Sequence, residues 1–413
     1  MPTTRREFLQ HSAALPALLG ATASAPALDM PADLPRELKP TGADLGTLFA
    51  PVNELAERNR FAYSFLGDTF KTLGEFKAAG RAKVFEAFAY KPEKVDPKPE
   101  LIERADCDGY TREKVVFSTG PLFRVPAYVL VPKGLKKPAP AVVDLHSHGG
   151  MFLFGKEKVI DFGKNHEVMT GYHERNYDGR PTATQLVGRG YVVIVIDALM
   201  FGERRVMMDA DAKMGFDRTK YAVADVQALN AKCRAKESTV VKGLALAGLT
   251  WPGVVTWDDI RTVDYLAARP DVDPKRIGCL GISMGGHRAL YLAGLDDRIV
   301  AACVTGFMST VKPMVKAHLD THSFVHFVPH LHRWLDLPDV VSMAAPRALL
   351  VQQCAKDGLF PLAGMKESVE VIAKVYEKGG AKDKFTGRFY DEPHKFTRDM
   401  QADAFAFLDK HLK

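Results

Sequence analysis

Short apolar runs recur through the last three hundred residues, separated by longer amphipathic stretches. Val115–Ser118 and Val125–Val131, joined through Thr119-Gly120-Pro121, predict an antiparallel hairpin. Ala141–Leu145, Tyr191–Ile196, Ile277–Ile282, Ile299–Thr305, Ala348–Gln353 and Gly387–Tyr390 predict further strands, most of them too continuously apolar to keep one face in water. Between them Gln185–Arg189 closes a helix, Trp257–Ala268 carries Ile260, Val263 and Leu266 on one face, and Met284–Leu295 is helix-forming. Met400, Ala404, Phe407, Leu408 and Leu412 line one side of a closing helix. Strands alternating with helices predict an α/β fold, a mostly parallel central sheet covered by helices on both faces.

The N-terminal third reads differently. From Leu45 to about Tyr90 the apolar positions Leu48, Val52, Leu55, Ala62 and Phe65, then Val84 and Phe88, recur at mostly helical steps, and Lys91–Pro99 breaks the pattern. Residues 28–110 are therefore expected to be a helical extension that begins with a proline-rich tether, and residues 111–413 the main domain. Within that domain, about 307–340 reads as a cap-like insertion. Residues 1–27 place Arg5-Arg6 and Phe8 before an alanine-rich stretch that ends in small residues, with cleavage expected after Ala25 or Ala27. This is the pattern of a twin-arginine signal, which implies passage through the twin-arginine export machinery to the periplasm or the exterior.

Composition narrows the function. The 413 residues are 46% hydrophobic and 26% charged, and the formal charge of +6 becomes +5 once residues 1–27, with Arg5, Arg6 and Glu7, are set aside (6 − 2 + 1). With no basic run interleaved with aromatics, this does not describe a nucleic-acid binder, and no apolar stretch has the length of a membrane span. Of five cysteines, Cys279, Cys303 and Cys354 fall in apolar strand-like runs, while Cys107 and Cys233 sit among polar residues where pairing is open.

The chemistry gathers around Ser283. Gly281-Ile282-Ser283-Met284-Gly285 is G-x-S-x-G set between a strand and a helix, the arrangement that exposes a serine at the apex of a sharp turn. A serine nucleophile needs a base and the base an orienting acid. Asp357 follows the strand Ala348–Gln353 and His394 precedes the last helix, giving the chain order serine, acid, histidine; Asp391 and Glu392 are rival acids. Met284 offers one oxyanion amide, and the loop His146-Ser147-His148-Gly149-Gly150 must offer another from His148, Gly149 or Gly150. No cofactor is required and no metal is assigned.

The elbow GISMGG, the acid segment KDGLFP, the histidine segment DEPH and the strand end HSHGG together resemble the α/β-hydrolase superfamily. Within it they are most similar to the dienelactone hydrolase and acetyl xylan esterase-like group, and Asp197–Arg204 resembles a loop of that group. Two departures stand out: Ser283 replaces the cysteine of dienelactone hydrolases, and Ser147 stands where the superfamily commonly has glycine. The resemblance implies an exported serine esterase acting on acetyl or other small acyl esters, possible carbohydrate-linked substrates included.

Other residues carry weaker signals. His146 and His148 form a metal-like H-x-H pair without the Asp-His that would extend it. His318, His322, His326, His330 and His332 are the candidate ligands of an alternative, metal-dependent hydrolase, with Pro329 interrupting any single helix. A peptidase of the prolyl oligopeptidase type is a second alternative, although no repeat of propeller blades is present, and a non-catalytic binding protein is a third. Asp197, Glu203 and Arg204 read as a structural ion-pair network; Trp251 and Trp257 read as core residues or a sugar-stacking surface. Oligomeric state leaves no signature.

Overall fold

The computed structural model describes residues 40–214 and 217–413; the twin-arginine segment and nearly all of the tether lie outside the described residues. Among those described, nine strands form one sheet in the order β1-β2-β3-β5-β4-β6-β7-β8-β9. They are β1 (Glu100–Asp106), β2 (Tyr110–Ser118), β3 (Arg124–Pro132), β4 (Ala139–Leu145), β5 (Val192–Ile196), β6 (Val272–Ile282), β7 (Ile299–Thr305), β8 (Ala348–Cys354) and β9 (Phe385–Tyr390). The first three pair antiparallel, as does β3 with β5, and from β5 through β4 to β9 every pair is parallel. Every residue of β4, β5 and β8 is buried, as a strand covered on both faces requires.

Ten α-helices accompany the sheet among the described residues: α1 (Phe49–Glu57), α2 (Leu73–Phe88), α3 (Glu167–Tyr177), α4 (Thr182–Gly188), α5 (Val223–Leu246), α6 (Trp251–Ala267), α7 (Met284–Leu295), α8 (Leu337–Ser342), α9 (Leu362–Lys378) and α10 (Arg398–Leu412). Two hydrophobic clusters divide between the faces. One gathers Phe88, Ile260, Leu290, Val340 and Ile372; the other gathers Met169, Leu186, Phe396 and Leu408.

Two expectations need correction, and one question left open by the sequence is answered. The segment 28–110 is not helical throughout, because β1 joins the sheet edge inside it. Glu100–Asp106 is largely exposed and charged, so it has no alternation to read. The helical spacing of Leu48, Val52 and Leu55 does not mark a buried face either: α1 buries no residue, Leu48 and Leu55 are more than 60% exposed, and Ala62 and Phe65 lie outside any helix. The real anchor is α2, started by a capping box between Thr72 and Glu75, which buries Phe76, Val84 and Phe88. Finally, all five cysteines are free, Cys107 and Cys233 included.

Candidate active site

Ser283 stands at the end of β6 with φ +60° and ψ −124°, a conformation that costs an L-residue energy and persists only when its surroundings hold it. They do: its N–H donates to the Thr305 carbonyl at 3.0 Å, and its carbonyl accepts from His287 N–H at 2.9 Å. Two glycines make the turn possible. A Cβ on Gly281 would come within 2.5 Å of the Gly285 backbone, and one on Gly285 would run into the Leu145 carbonyl oxygen at the end of β4. From Ile277 to Leu295 only Ser283 escapes burial. Arg288, on α7, grips Asp259 of α6 through two hydrogen bonds of 3.0 and 2.6 Å, both side chains fully buried, and so fixes the helix behind the serine.

His394 lies in the turn between β9 and α10. Its Nδ1 is 2.6 Å from Asp357 Oδ2, and the carboxylate is wholly buried, with Oδ1 accepting the Leu359 N–H at 2.9 Å. A carboxylate held at both oxygens keeps the imidazole proton on Nδ1 and leaves Nε2 as the acceptor. Of the rival acids, Asp391 is exposed and paired with Lys356 at 2.8 Å, and the Glu392 carbonyl accepts the Lys356 N–H at 3.0 Å. Ser283 and His394 share the wall of one cavity of about 220 Å³, although no hydrogen bond joins the two side chains.

The loop after β4 forms another part of that wall. Met284 N–H, the first amide of α7, has no partner among the described residues. Of the three loop candidates, Gly150 drops out, because its N–H donates to His148 Nδ1 at 3.0 Å. The amides of His148 and Gly149 have no partner among the described residues.

The H-x-H pair is not a metal site. Ala198 N–H donates to His146 Nε2 at 3.2 Å, so the proton sits on Nδ1, which contacts the Ser147 carbonyl at 3.0 Å. Burial holds both His146 and His148 below the usual histidine range. The later series is scattered over short turns, with His318 and His330 at positive φ, so it shares no helical face. His322 and His326 line the cavity, each with one buried ring nitrogen unpartnered, and burial keeps both neutral. No group of three histidine, cysteine or acidic side chains is disposed to hold a metal among the described residues. Trp251 and Trp257 are buried, their indole N–H groups given to the Leu199 and Thr119 carbonyls. The ion-pair network of Asp197 and Glu203 closes through buried Lys156, at 2.7 and 2.6 Å, while Arg204 pairs with Asp258 at 2.7 Å.

With this geometry in view, the chain matches the abhydrolase family over residues 47–407. It belongs to the abhydrolase family. Among curated proteins, a Bacillus subtilis (strain 168) protein named as a hydrolase, YtaP, is 27% identical over 337 residues, covering 81% of this chain and all of that one. Among solved structures, a Bacteroides fragilis NCTC 9343 protein described as an acetyl xylan esterase superposes with a TM-score of 0.61 at 20% identity, covering 82% of this chain and 81% of that one. A glucuronoyl esterase from Solibacter usitatus gives 0.55 at 15% identity, covering 81% and 92%. Acetyl xylan esterase 1 from Thermoanaerobacterium sp. JW/SL YS485 gives 0.51 at 16%, covering 88% and 99%. These likenesses are likenesses of fold, and the fold is the α/β-hydrolase fold that the resemblance of the elbow, acid, histidine and strand-end motifs implied.

Several cavity residues of this abhydrolase carry no local signal in the sequence. Arg234 on α5 reaches the cavity across Gly150, and Phe307 and Phe360 supply apolar walls. Glu237, also on α5, ties the helix to the 307–340 segment by accepting from Ser323 Oγ at 2.8 Å and Phe324 N–H at 2.9 Å.

Proposed function

We propose that this chain is a serine carboxylic-ester hydrolase working through an acyl-enzyme. The observation that carries the reading is His394, hydrogen-bonded to buried Asp357 at 2.6 Å and sharing one cavity with a serine held at φ +60°. Ser283 Oγ attacks the ester carbonyl as His394 Nε2 takes its proton. The tetrahedral oxyanion forms against the amide of Met284 and those of the 148–149 loop, and the alcohol leaves with the proton from His394. Water, deprotonated by the same imidazole, then releases the acid. Every proton moves between side chains and solvent, so the cycle balances without a cofactor.

A cavity of about 220 Å³ suits a small ester. Acetyl xylan and glucuronoyl esterases among the structural neighbours support acetyl or other small acyl esters, carbohydrate-linked ones included. Residues 1–27 support export through the twin-arginine machinery to the periplasm or beyond; Arg5→Lys with Arg6→Lys should retain the protein in the cytoplasm, which fractionation reads. The catalytic reading is tested with p-nitrophenyl acetate and a fluorophosphonate probe. The wild type should turn over the ester and label; Ser283→Ala should do neither. Undiminished turnover in Ser283→Ala would refute the mechanism.

A further inference from the structure

We propose that Lys158 is a positioning residue for the oxyanion hole: seated behind the 147–150 loop, it turns the His148 and Gly149 amides toward the reacting carbonyl and holds them there. This rests on the ester-hydrolase reading and deepens it.

Two lysines are fully buried in the described chain. Lys156 is matched by the carboxylates of Asp197, Glu203 and Glu157. Lys158 has no carboxylate within 4.0 Å among the described residues. Its Nζ donates instead to the Ser147 carbonyl at 2.8 Å and the His148 carbonyl at 2.9 Å, and lies over the Phe201 ring, 4.4 Å from its centre. Burying an amine against two carbonyls and a ring face is costly, and a methionine would fill the space without that cost. The position therefore calls for a role beyond packing.

Peptide geometry supplies one. In a trans peptide the carbonyl and the N–H of the next residue point in opposite directions. The Ser147 carbonyl shares its plane with His148 N–H, and the His148 carbonyl with Gly149 N–H. Both carbonyls converge on Lys158, which forms no part of the cavity wall, so both N–H groups are directed away from it, on the side of the loop that lines the cavity. Neither amide has a partner among the described residues, while Gly150 N–H does. Gly149 is at φ +52°, the left-handed turn that lets successive N–H groups form an anion-accepting nest, and a Cβ there would strike the Tyr172 ring. The Tyr172 hydroxyl meets Ser147 Oγ at 2.6 Å, which pins the loop beside Lys158 and accounts for serine at a position where glycine is common. Donation to a peptide carbonyl also polarises the amide on its far side, strengthening it as a donor.

The test combines rate and affinity. In Lys158→Met, kcat for p-nitrophenyl acetate should fall by roughly 30- to 300-fold with KM changed less than about threefold, and a trifluoromethyl ketone that forms a tetrahedral adduct should lose affinity by the same factor as kcat. A folded Lys158→Met with kcat within about threefold of wild type overturns the proposal. If that variant does not fold, a crystal structure of the wild-type ketone adduct decides. An adduct oxygen about 3 Å from Met284 N and from His148 N or Gly149 N supports the proposal, and one bonded to Gly150 N or to solvent alone overturns it. A wild type that hydrolyses no ester overturns the ester-hydrolase reading and this inference with it, whereas an active wild type beside an unimpaired Lys158→Met overturns this inference alone.

Discussion

Replacing Asp357 by asparagine should leave the protein folded and nearly abolish turnover. Asp357 Oδ1 accepts the Leu359 N–H, and Oδ2 faces His394 Nδ1. In the variant the amide oxygen keeps the Leu359 bond, because only oxygen can accept it. The NH₂ group then faces Nδ1, which must become an acceptor, and the imidazole proton moves to Nε2. A ring protonated at Nε2 cannot take the proton of Ser283. The same exchange of tautomer in a Ser-His-Asp site lowers kcat by roughly 10⁴, equivalent to about 5 kcal/mol of barrier. Asp391 supplies the control: it is exposed, and its ion pair with Lys356 is a surface contact screened by solvent, so Asp391→Asn should stay within about twofold of wild type. Steady-state hydrolysis of p-nitrophenyl acetate, with thermal melts to establish folding, measures both. An Asp357→Asn enzyme retaining more than about a tenth of wild-type kcat, or a larger loss in Asp391→Asn, would show that Asp357 does not orient the base.

Gly285→Ala should be destabilised by at least about 1–3 kcal/mol in chemical denaturation, since its new methyl group meets the Leu145 carbonyl backbone and neither strand nor helix can withdraw; an unchanged midpoint would contradict the packing of the elbow. Arg288→Met strands the buried Asp259 carboxylate and should cost about 3–5 kcal/mol, with the double variant Asp259→Leu/Arg288→Met less destabilised than the single one; additive losses would refute the pair. Stability should also fall on acidification. Burial holds His146, His148, His287, His322, His326 and His332 below their ordinary 6.5, His287 at about 3 and His332 at about 4, so the unfolded chain takes up protons first. Their contribution is present above about pH 6.5 and lost as pH falls toward the folded values. His173 and His411 are lowered by burial in the same way, while Asp144, Asp336 and Asp339, pushed up by burial to about 7, about 8 and about 6, and Asp259, also raised by burial, act in the opposite direction, four groups against eight. Melting temperature should therefore drop from about pH 7 to about 4.5, less steeply in His287→Phe; a rise over that range would refute this balance.

What could be read locally was read because it is locally encoded. The strands β4 to β8 are apolar runs, and α10 an amphipathic one, so burial and period were visible in neighbouring residues. The elbow is legible because its glycines stand close together in the chain, although only the demand on Gly281 is local, from the Gly285 backbone, while Gly285 makes room for the Leu145 carbonyl of β4. β1 escaped because an exposed edge strand has no buried face to alternate with, and α1 misled because its apolar side chains point outward.

The sequence by itself determined the fold class and pointed to a candidate serine and to the order of candidate acid and base, since each depends on residue type and short spacing. Only the tertiary structure chose among equals. Asp357 over Asp391 was decided by which carboxylate is buried beside His394, a contact between residues 37 apart. Within the loop, it is the fold that occupies Gly150 N–H with His148 Nδ1 and sets the Lys158 amine against the Ser147 and His148 carbonyls. Such choices turn on where a backbone N–H points, and that direction is set by packing across the sheet, which no local pattern of side chains encodes.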